Sequence, residues 1–179
     1  MESRKLIAMT GATGFIGTNM SREFENNGWK IIPLGRKDFA LPAEDLSARL
    51  QGVDVVVNLA GAPLLKRWTE EYKKILVESR VALTRKLVRA FKLLQKPPGV
   101  FFSTSAIGRY SPTGTHTEDD YIPADDFLGH LTRDWEQEAL RAKELGFRTV
   151  IFRFGVVLSK NGGALAKMVP PFKLGLGGP

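Results

Sequence analysis

Residues 9–17 read MTGATGFIG, with glycines at 11, 14 and 17 directly after an apolar run. No other stretch constrains the possible fold as strongly. The first amide N–H groups of a helix have no partner inside it and can hold a phosphate. Gly11 permits the tight turn, Gly14 lets the backbone approach a diphosphate, and Gly17 lets helix and strand pack. A glycine triad alone is a weak signal. A strand before it, a helix after it and a βαβ continuation make it a dinucleotide fingerprint. Thr13, Phe15 and Ile16 complete the expected cofactor cradle around the three glycines.

The continuation is present. RKLIAMTG reads as a buried strand and FIGTNMSREFENNG as a helix, with Phe15, Ile16, Met20 and Phe24 on one face and Gly28 after its end. WKIIPLG is a second strand and DLSARLQG a short helix. VDVVVNLAG is apolar almost throughout, as expected of a strand buried on both faces. Tyr72, Ile75, Leu76, Ser79, Leu83, Leu87, Phe91 and Leu94 recur at helical spacing and predict one long amphipathic helix, stopped by Pro97 and Pro98. GVFFSTSA is the next strand, and residues 109–126 form a loop rich in Gly, Pro, Thr and acids. Asp125 or Asp126 caps a further helix that Gly146 ends, and FRTVIFRFGVVL is the last strand. The segment from residue 159 onward is too rich in Gly and Pro to form a complete element. Strands alternating with helices specify an α/β fold, a doubly wound parallel sheet of the Rossmann type.

Composition removes several function classes. The chain has no cysteine, so it holds no disulfide, thiolate nucleophile or Cys-bound metal, which fits a cytoplasmic protein. His116 and His130 are isolated and lack partners at ligand spacing, so no metal is expected. No apolar run is long enough to span a bilayer. The net charge of +7 raises nucleic acid as a partner, but the excess is local: residues 66–96 hold ten basic and three acidic residues. Arg85, Arg89, Lys92 and Lys96 share one helix face, which reads as a solvated surface or subunit rim. Without interleaved aromatics or a known module, nucleic acid is not an expected partner.

The second strand ends in IIPLGRKD. An acid there would bind the ribose 2′-OH of NAD, whereas an arginine suits the 2′-phosphate of NADP. Gly35 holds the acid position, and Arg36 and Lys37 follow it. NADP is therefore favoured over NAD, with Asp38 turning inward as the alternative.

These segments resemble the extended short-chain dehydrogenase/reductase superfamily. TGATGFIG matches its glycine motif, and DVVVNLAG resembles the segment that lines the cofactor, here ending in Leu59, Ala60 and Gly61. FFSTSAIG resembles the strand that delivers the catalytic serine. More narrowly, NLAGAPL, STSAIGRY and FRFGVVLSKNGGAL resemble an atypical branch labelled nucleoside-diphosphate-sugar epimerase-like, or by an old label cell-division inhibitor. The resemblance runs from end to end of the chain. It implies NADP(H), a small-molecule substrate in a cleft at the carboxyl ends of the strands, and a homodimer paired through helices within 68–94 and 126–145. It also implies that members continue well past residue 179. Residues 1–158 are then the dinucleotide-binding domain, and 159–179 the incomplete start of a small C-terminal substrate domain that is largely missing.

Superfamily chemistry uses a tyrosine whose proton a nearby lysine mobilises, and a serine that hydrogen-bonds the reacting oxygen. Tyrosine, with a pKa of about 10, is a poor base at neutral pH without such help. Ser105 matches the serine. At the tyrosine and lysine positions stand Leu128 and Thr132, which do no acid–base work. Tyr110, five residues after Ser105 on the same exit loop, is the expected replacement acid, with Arg133 as a nearby cation and Tyr121 as a weaker candidate. Arg153 orients the last strand or a substrate phosphate, and Arg80 either reaches the cleft floor or is solvated. Two functions follow. One is an NADP-dependent oxidoreductase or epimerase-like enzyme acting on a small carbonyl or sugar-nucleotide substrate. The alternative is an NADP-binding sensor or interaction protein with little catalysis, because the Tyr–Lys pair is replaced.

Overall fold

A computed structural model of the chain describes residues 5–160 and 162–176. Its centre is a five-stranded parallel sheet built from β1 (Leu6–Thr10), β2 (Lys30–Leu34), β3 (Val55–Asn58), β4 (Val100–Ala106) and β5 (Arg148–Phe154). The order is β2-β1-β3-β4-β5, so the winding reverses between β1 and β3. Crevices at such reversals, outside the carboxyl ends of the strands, are where ligands bind in open α/β sheets. Pro33 is tolerated because β2 is an edge strand.

Alternate residues of each central strand point to opposite faces, and both faces are covered. Ala8, Val56 and Phe101 face α3 (Ala43–Leu50) and α5 (Leu83–Phe91), where Leu46, Leu50 and Leu87 are fully buried. Each such leucine contributes about 1.5–3 kcal/mol. Phe91 lies between Phe101 and Phe147, with ring centroids at 5.1 and 4.4 Å. Ile7, Met9 and Val57 face α1 (Phe15–Asn26), against Met20 and Phe24. Phe15 and Ile16, expected on that packing face, line the cleft instead.

The predicted long helix is interrupted. α4 (Glu70–Val77) and α5 are joined by a π-helical turn at Glu78–Ala82. The extra residue in the wider turn shifts the apolar stripe. Leu76 is buried before it and Thr84, Leu87, Val88 and Phe91 after it, while Ile75, expected on the stripe, is 45% exposed. α2 (Arg36–Ala40) lies between β2 and α3, where the sequence reading assigns no element. α6 (Phe127–Leu140) is capped by Asp126, whose carboxylate accepts the Gly129 N–H at 2.7 Å. A 3₁₀ turn at Arg141–Leu145 follows, and Gly146 ends it at φ 85°.

The expectation that residues past 159 form no complete element is corrected. Leu158–Ser159 (β6) pairs antiparallel with Gly162–Gly163 (β7), and α7 spans Leu165–Lys173 despite Pro170 and Pro171. The hairpin folds back onto the first helix. A Cβ on Gly162 would stand 2.3 Å from the Phe15 ring, so glycine alone allows that approach.

Candidate functional site

The cradle is assembled by backbone. Gly11 adopts φ 67°, and its missing Cβ makes room for Leu59 and Ala60, whose backbone atoms would lie 2.9–3.0 Å from it. A Cβ on Gly17 would stand 2.2 Å from the Gly11 carbonyl oxygen. The Gly14 N–H donates to that same oxygen at 2.9 Å. Gly14 is the N-cap of α1 and provides no side chain to cap it, so the helix start is left to a ligand. The donor set, a glycine-lined bend and an uncapped helix start, fits a diphosphate.

Across the reversal, Thr10 fixes the second wall. Its hydroxyl donates to Asn58 Oδ1 at 2.8 Å and accepts the Leu59 and Ala60 N–H groups, each at 3.0 Å. Asn58 Nδ2 passes the chain on to Thr84 Oγ1 at 2.8 Å, which also accepts Trp135 Nε1 at 3.0 Å. This buried network joins β1, β3, α5 and α6. Sequence reading missed it, although Thr10 and Asn58 stand opposite each other in the strand register.

Two cavities meet at Gly11, Gly14 and Leu59–Gly61. The first, of about 520 Å³, runs from the α1 start to Ser105 and Arg80. The second, of about 660 Å³, runs over Thr13 and Leu34 to Arg36. Lys37 is exposed and does not line either. Asp38 is committed elsewhere: it accepts the Gly35 N–H at 2.7 Å and pairs with Arg49 at 2.9 Å.

Ser105 sits near the carboxyl end of β4, 3% exposed, and its hydroxyl has no hydrogen-bond partner among the described residues. Leu128 and Thr132 carry no acid–base function here. Leu128 packs against Gly108, where a Cβ would come within 3.1 Å, and Thr132 Oγ1 donates to the Leu128 carbonyl at 2.8 Å. Tyr110 is not among the residues lining the cavity of Ser105. Its hydroxyl accepts from Arg153 Nη1 at 2.9 Å, and its ring stacks on His116 at 5.5 Å. Arg153 also stands 4.7 Å from the Tyr121 ring and is held by Glu136, a residue the sequence reading passed over. Those carboxylate hydrogen bonds raise the Arg153 pKa further above its usual range, against the opposing effect of burial. Arg133, exposed, pairs with Asp134 at 2.8 Å. Arg85 of the basic face is not merely solvated, since it pairs with the buried Glu138 of α6 at 2.8 Å.

Of the two readings of Arg80, the structure supports the cleft. The residue is 8% exposed on the π-helical turn and lines the cavity of Ser105. Nη2 donates to the Ala62 carbonyl at 2.9 Å, and Nη1 to Ser79 Oγ at 3.3 Å. Burial lowers its pKa. Among the described residues there is no group of acids and histidines placed to hold a metal, and no helix is long and apolar enough to cross a membrane.

A reversal-point crevice with a glycine-opened helix start defines a dinucleotide-binding α/β protein of the Rossmann type. The chain belongs to the NAD dependent epimerase/dehydratase family, whose model matches residues 7–173. It is 37% identical to an epimerase family protein of Staphylococcus haemolyticus and 39% identical to one of Staphylococcus aureus, over 97% of this chain in each case. It spans 62% of the length of those relatives. Among solved structures, a human epimerase family protein crystallised with NADPH superposes with a TM-score of 0.83 at 31% identity, covering 97% of this chain and 61% of that one. A nucleoside-diphosphate sugar epimerase from Corynebacterium glutamicum gives 0.78 at 30% identity, covering 96% of this chain and 38% of that one.

Proposed function

We propose that this chain forms the cofactor-binding part of an NADP(H)-dependent oxidoreductase or epimerase-like enzyme acting on a small carbonyl or sugar-nucleotide substrate. The observation that carries this is Ser105: a buried hydroxyl without a partner among the described residues, on a residue that lines the same cavity as the uncapped start of α1. Buried hydroxyls left unpaired are costly, and functional sites are where such groups persist. A nicotinamide held in that cavity supplies hydride transfer. Ser105 offers its hydroxyl to the substrate oxygen, and Leu64, Phe154 and Val157 narrow the access of water.

NADP is preferred in this reading because Arg36 lines the second cavity, while Asp38, the nearby acid, is spent on Gly35 and Arg49. The NADPH bound by the human relative supports the same choice. Pairing of two copies through α4–α5 and α6 belongs to the proposal too. Ile75 and Val77 are more than a third exposed on α4, and Val77 lines a groove with Phe127 at the start of α6.

Isotopic exchange tests the reading. Protein incubated with NADPH deuterated at the transferable position and a panel of carbonyl compounds should move label into product. Tight NADPH binding without any label transfer would instead mark a nucleotide-binding sensor.

A further inference from the structure

We propose that Arg80 and Ser105 together form a subsite for a carboxylate carried by the substrate. The inference rests on the cofactor reading above and narrows it to acids.

Arg80 is the charged residue of the Ser105 cavity; no acid is found among its described lining residues. Few other polar side chains line it, and they are committed. Thr104 donates its hydroxyl to the Asn58 carbonyl at 3.0 Å, and Trp135 Nε1 donates to Thr84. Ser105 and the unspent N–H groups of Arg80 therefore remain for a ligand. The guanidinium has five donors. Two are used, by Ala62 and Ser79, and Nε makes no hydrogen bond among the described residues.

The group is held rigidly as well. Gly61 passes directly over it, where a Cβ would stand 2.9 Å from Cζ and Nη2. The Trp135 ring lies 5.5 Å from Cζ. Fixed in this way, the planar fork presents donors without the entropy loss of a free arginine. A buried cation with no counter-charge is unstable relative to a paired one, so the cavity favours an anion.

Position separates this site from the diphosphate. Arg80 lines the first cavity and not the second, whereas the α1 start and Gly11 border both. The cation thus sits by the loop after β3, against Gly61 and Ala62, in the cavity it shares with Ser105, and the phosphates belong to the helix start. A fork of N–H donors and one hydroxyl in a single cavity match a carboxylate, which takes two parallel bonds from an arginine and a third from the serine.

The test is calorimetry on NADPH-loaded protein with acetate, pyruvate and benzoylformate, each against its neutral amide. At least one acid is expected to bind about 10-fold or more tightly than its amide, as hydrogen bonds to charged groups require. Arg80→Gln should abolish that preference, and Ser105→Ala should weaken it. Arg80→Lys keeps the charge without the fork; it should retain part of the preference and serves if the Gln variant does not fold. Anion binding should also change the fluorescence of Trp135, checked against Trp135→Phe. Equal or absent binding of all acids and amides to the loaded wild-type protein overturns the proposal. So does an Arg80→Gln variant that loses NADPH and acid affinity by the same factor, which would assign the arginine to the cofactor. Failure of NADPH itself to bind would sink the underlying reading separately.

Discussion

Arg153 and Glu136 meet side by side, Nε on Oε1 at 2.8 Å and Nη2 on Oε2 at 2.9 Å. The pair ties β5 to α6. The third arm of the guanidinium reaches Tyr110 at 2.9 Å and the Glu118 carbonyl at 3.2 Å, so it also anchors the loop of residues 109–126. Glu136→Ala leaves an arginine side chain, 16% exposed, without its counter-charge. Breaking such a pair should cost about 3 kcal/mol in urea unfolding. Amides of the loop should exchange faster. A double change to Arg153→Met and Glu136→Leu should recover only part of the loss, because Arg109, whose Nε lies 3.9 Å from Glu136 Oε2, still loses its carboxylate. A Glu136→Ala cost below about 0.5 kcal/mol would show that the pair is screened like a surface one.

Gly14→Ala separates cofactor binding from folding. The added Cβ meets the Gly11 carbonyl oxygen at 3.2 Å, a contact that a small shift relieves, so stability should fall by about 1 kcal/mol or less. The methyl nonetheless occupies the mouth of the helix start, and NADPH affinity should fall about 10-fold or more. Gly17→Ala is harsher: its Cβ would stand 2.2 Å from a backbone oxygen, and melting should show a large loss of stability. Calorimetry and thermal melting on both variants decide the matter. Normal NADPH binding by the Gly14→Ala variant would remove the cradle from the binding account.

The glycine motif, the five strands and α1 were legible because they rest on local rules: period, caps and the conformational freedom of glycine. What escaped was set by tertiary contact. The π-helical turn at Glu78–Ala82 has no local signal, yet it decides which residues of the long helix face inward. The commitment of Asp38 became visible only with Arg49 beside it, 11 positions further along the chain. Nothing local distinguishes Glu136 from the other acids of its helix; only β5 brings Arg153 against it. The hairpin of β6 and β7 was unreadable for a different reason. Its glycines serve a close approach to Phe15, and the sequence signal of that approach is the same as that of a loose tail.

Cofactor preference should move with Arg36. The residue is exposed and makes no ion pair with a carboxylate among the described residues, so removing it costs little stability. Arg36→Ala should lower NADPH affinity roughly 10-fold to 100-fold, the size of a lost charged hydrogen bond. NADH affinity should change less than threefold, since NADH has no 2′-phosphate for the arginine to hold. Parallel titrations of both nucleotides measure the ratio. An equal loss for the two would move Arg36 from specificity to general binding.

Ser105 and Tyr110 should respond differently in the exchange assay. Ser105→Ala removes the unpartnered hydroxyl of a cavity-lining residue and should reduce label transfer by about 10-fold or more. Tyr110→Phe removes an acceptor of Arg153 outside that cavity, so it should cost about 1 kcal/mol of stability and leave label transfer within threefold. A collapse of transfer in Tyr110→Phe, at unchanged NADPH affinity, would restore the proton-donor role that its spacing from Ser105 suggested.

Thr84 holds the network beneath the cleft. Its Oγ1 accepts from Asn58 Nδ2 at 2.8 Å and from Trp135 Nε1 at 3.0 Å, and all three side chains are buried. Thr84→Val keeps the shape and removes the acceptor. Trp135 Nε1 is then left without its partner, and Asn58 Nδ2 retains only the 3.4 Å contact to Ser103. Orphaning buried donors should cost about 2–3 kcal/mol in urea unfolding. Thr84→Ser keeps the oxygen and loses a methyl, so it should cost about 1 kcal/mol. The effect should reach the cleft as well. Asn58 fixes the Thr10 hydroxyl, which in turn holds the Leu59 and Ala60 amides against the cofactor wall. NADPH affinity should therefore drop in the Val variant and persist in the Ser variant. If the two variants match in stability and in nucleotide affinity, packing alone supports this wall and the hydrogen-bond chain does not.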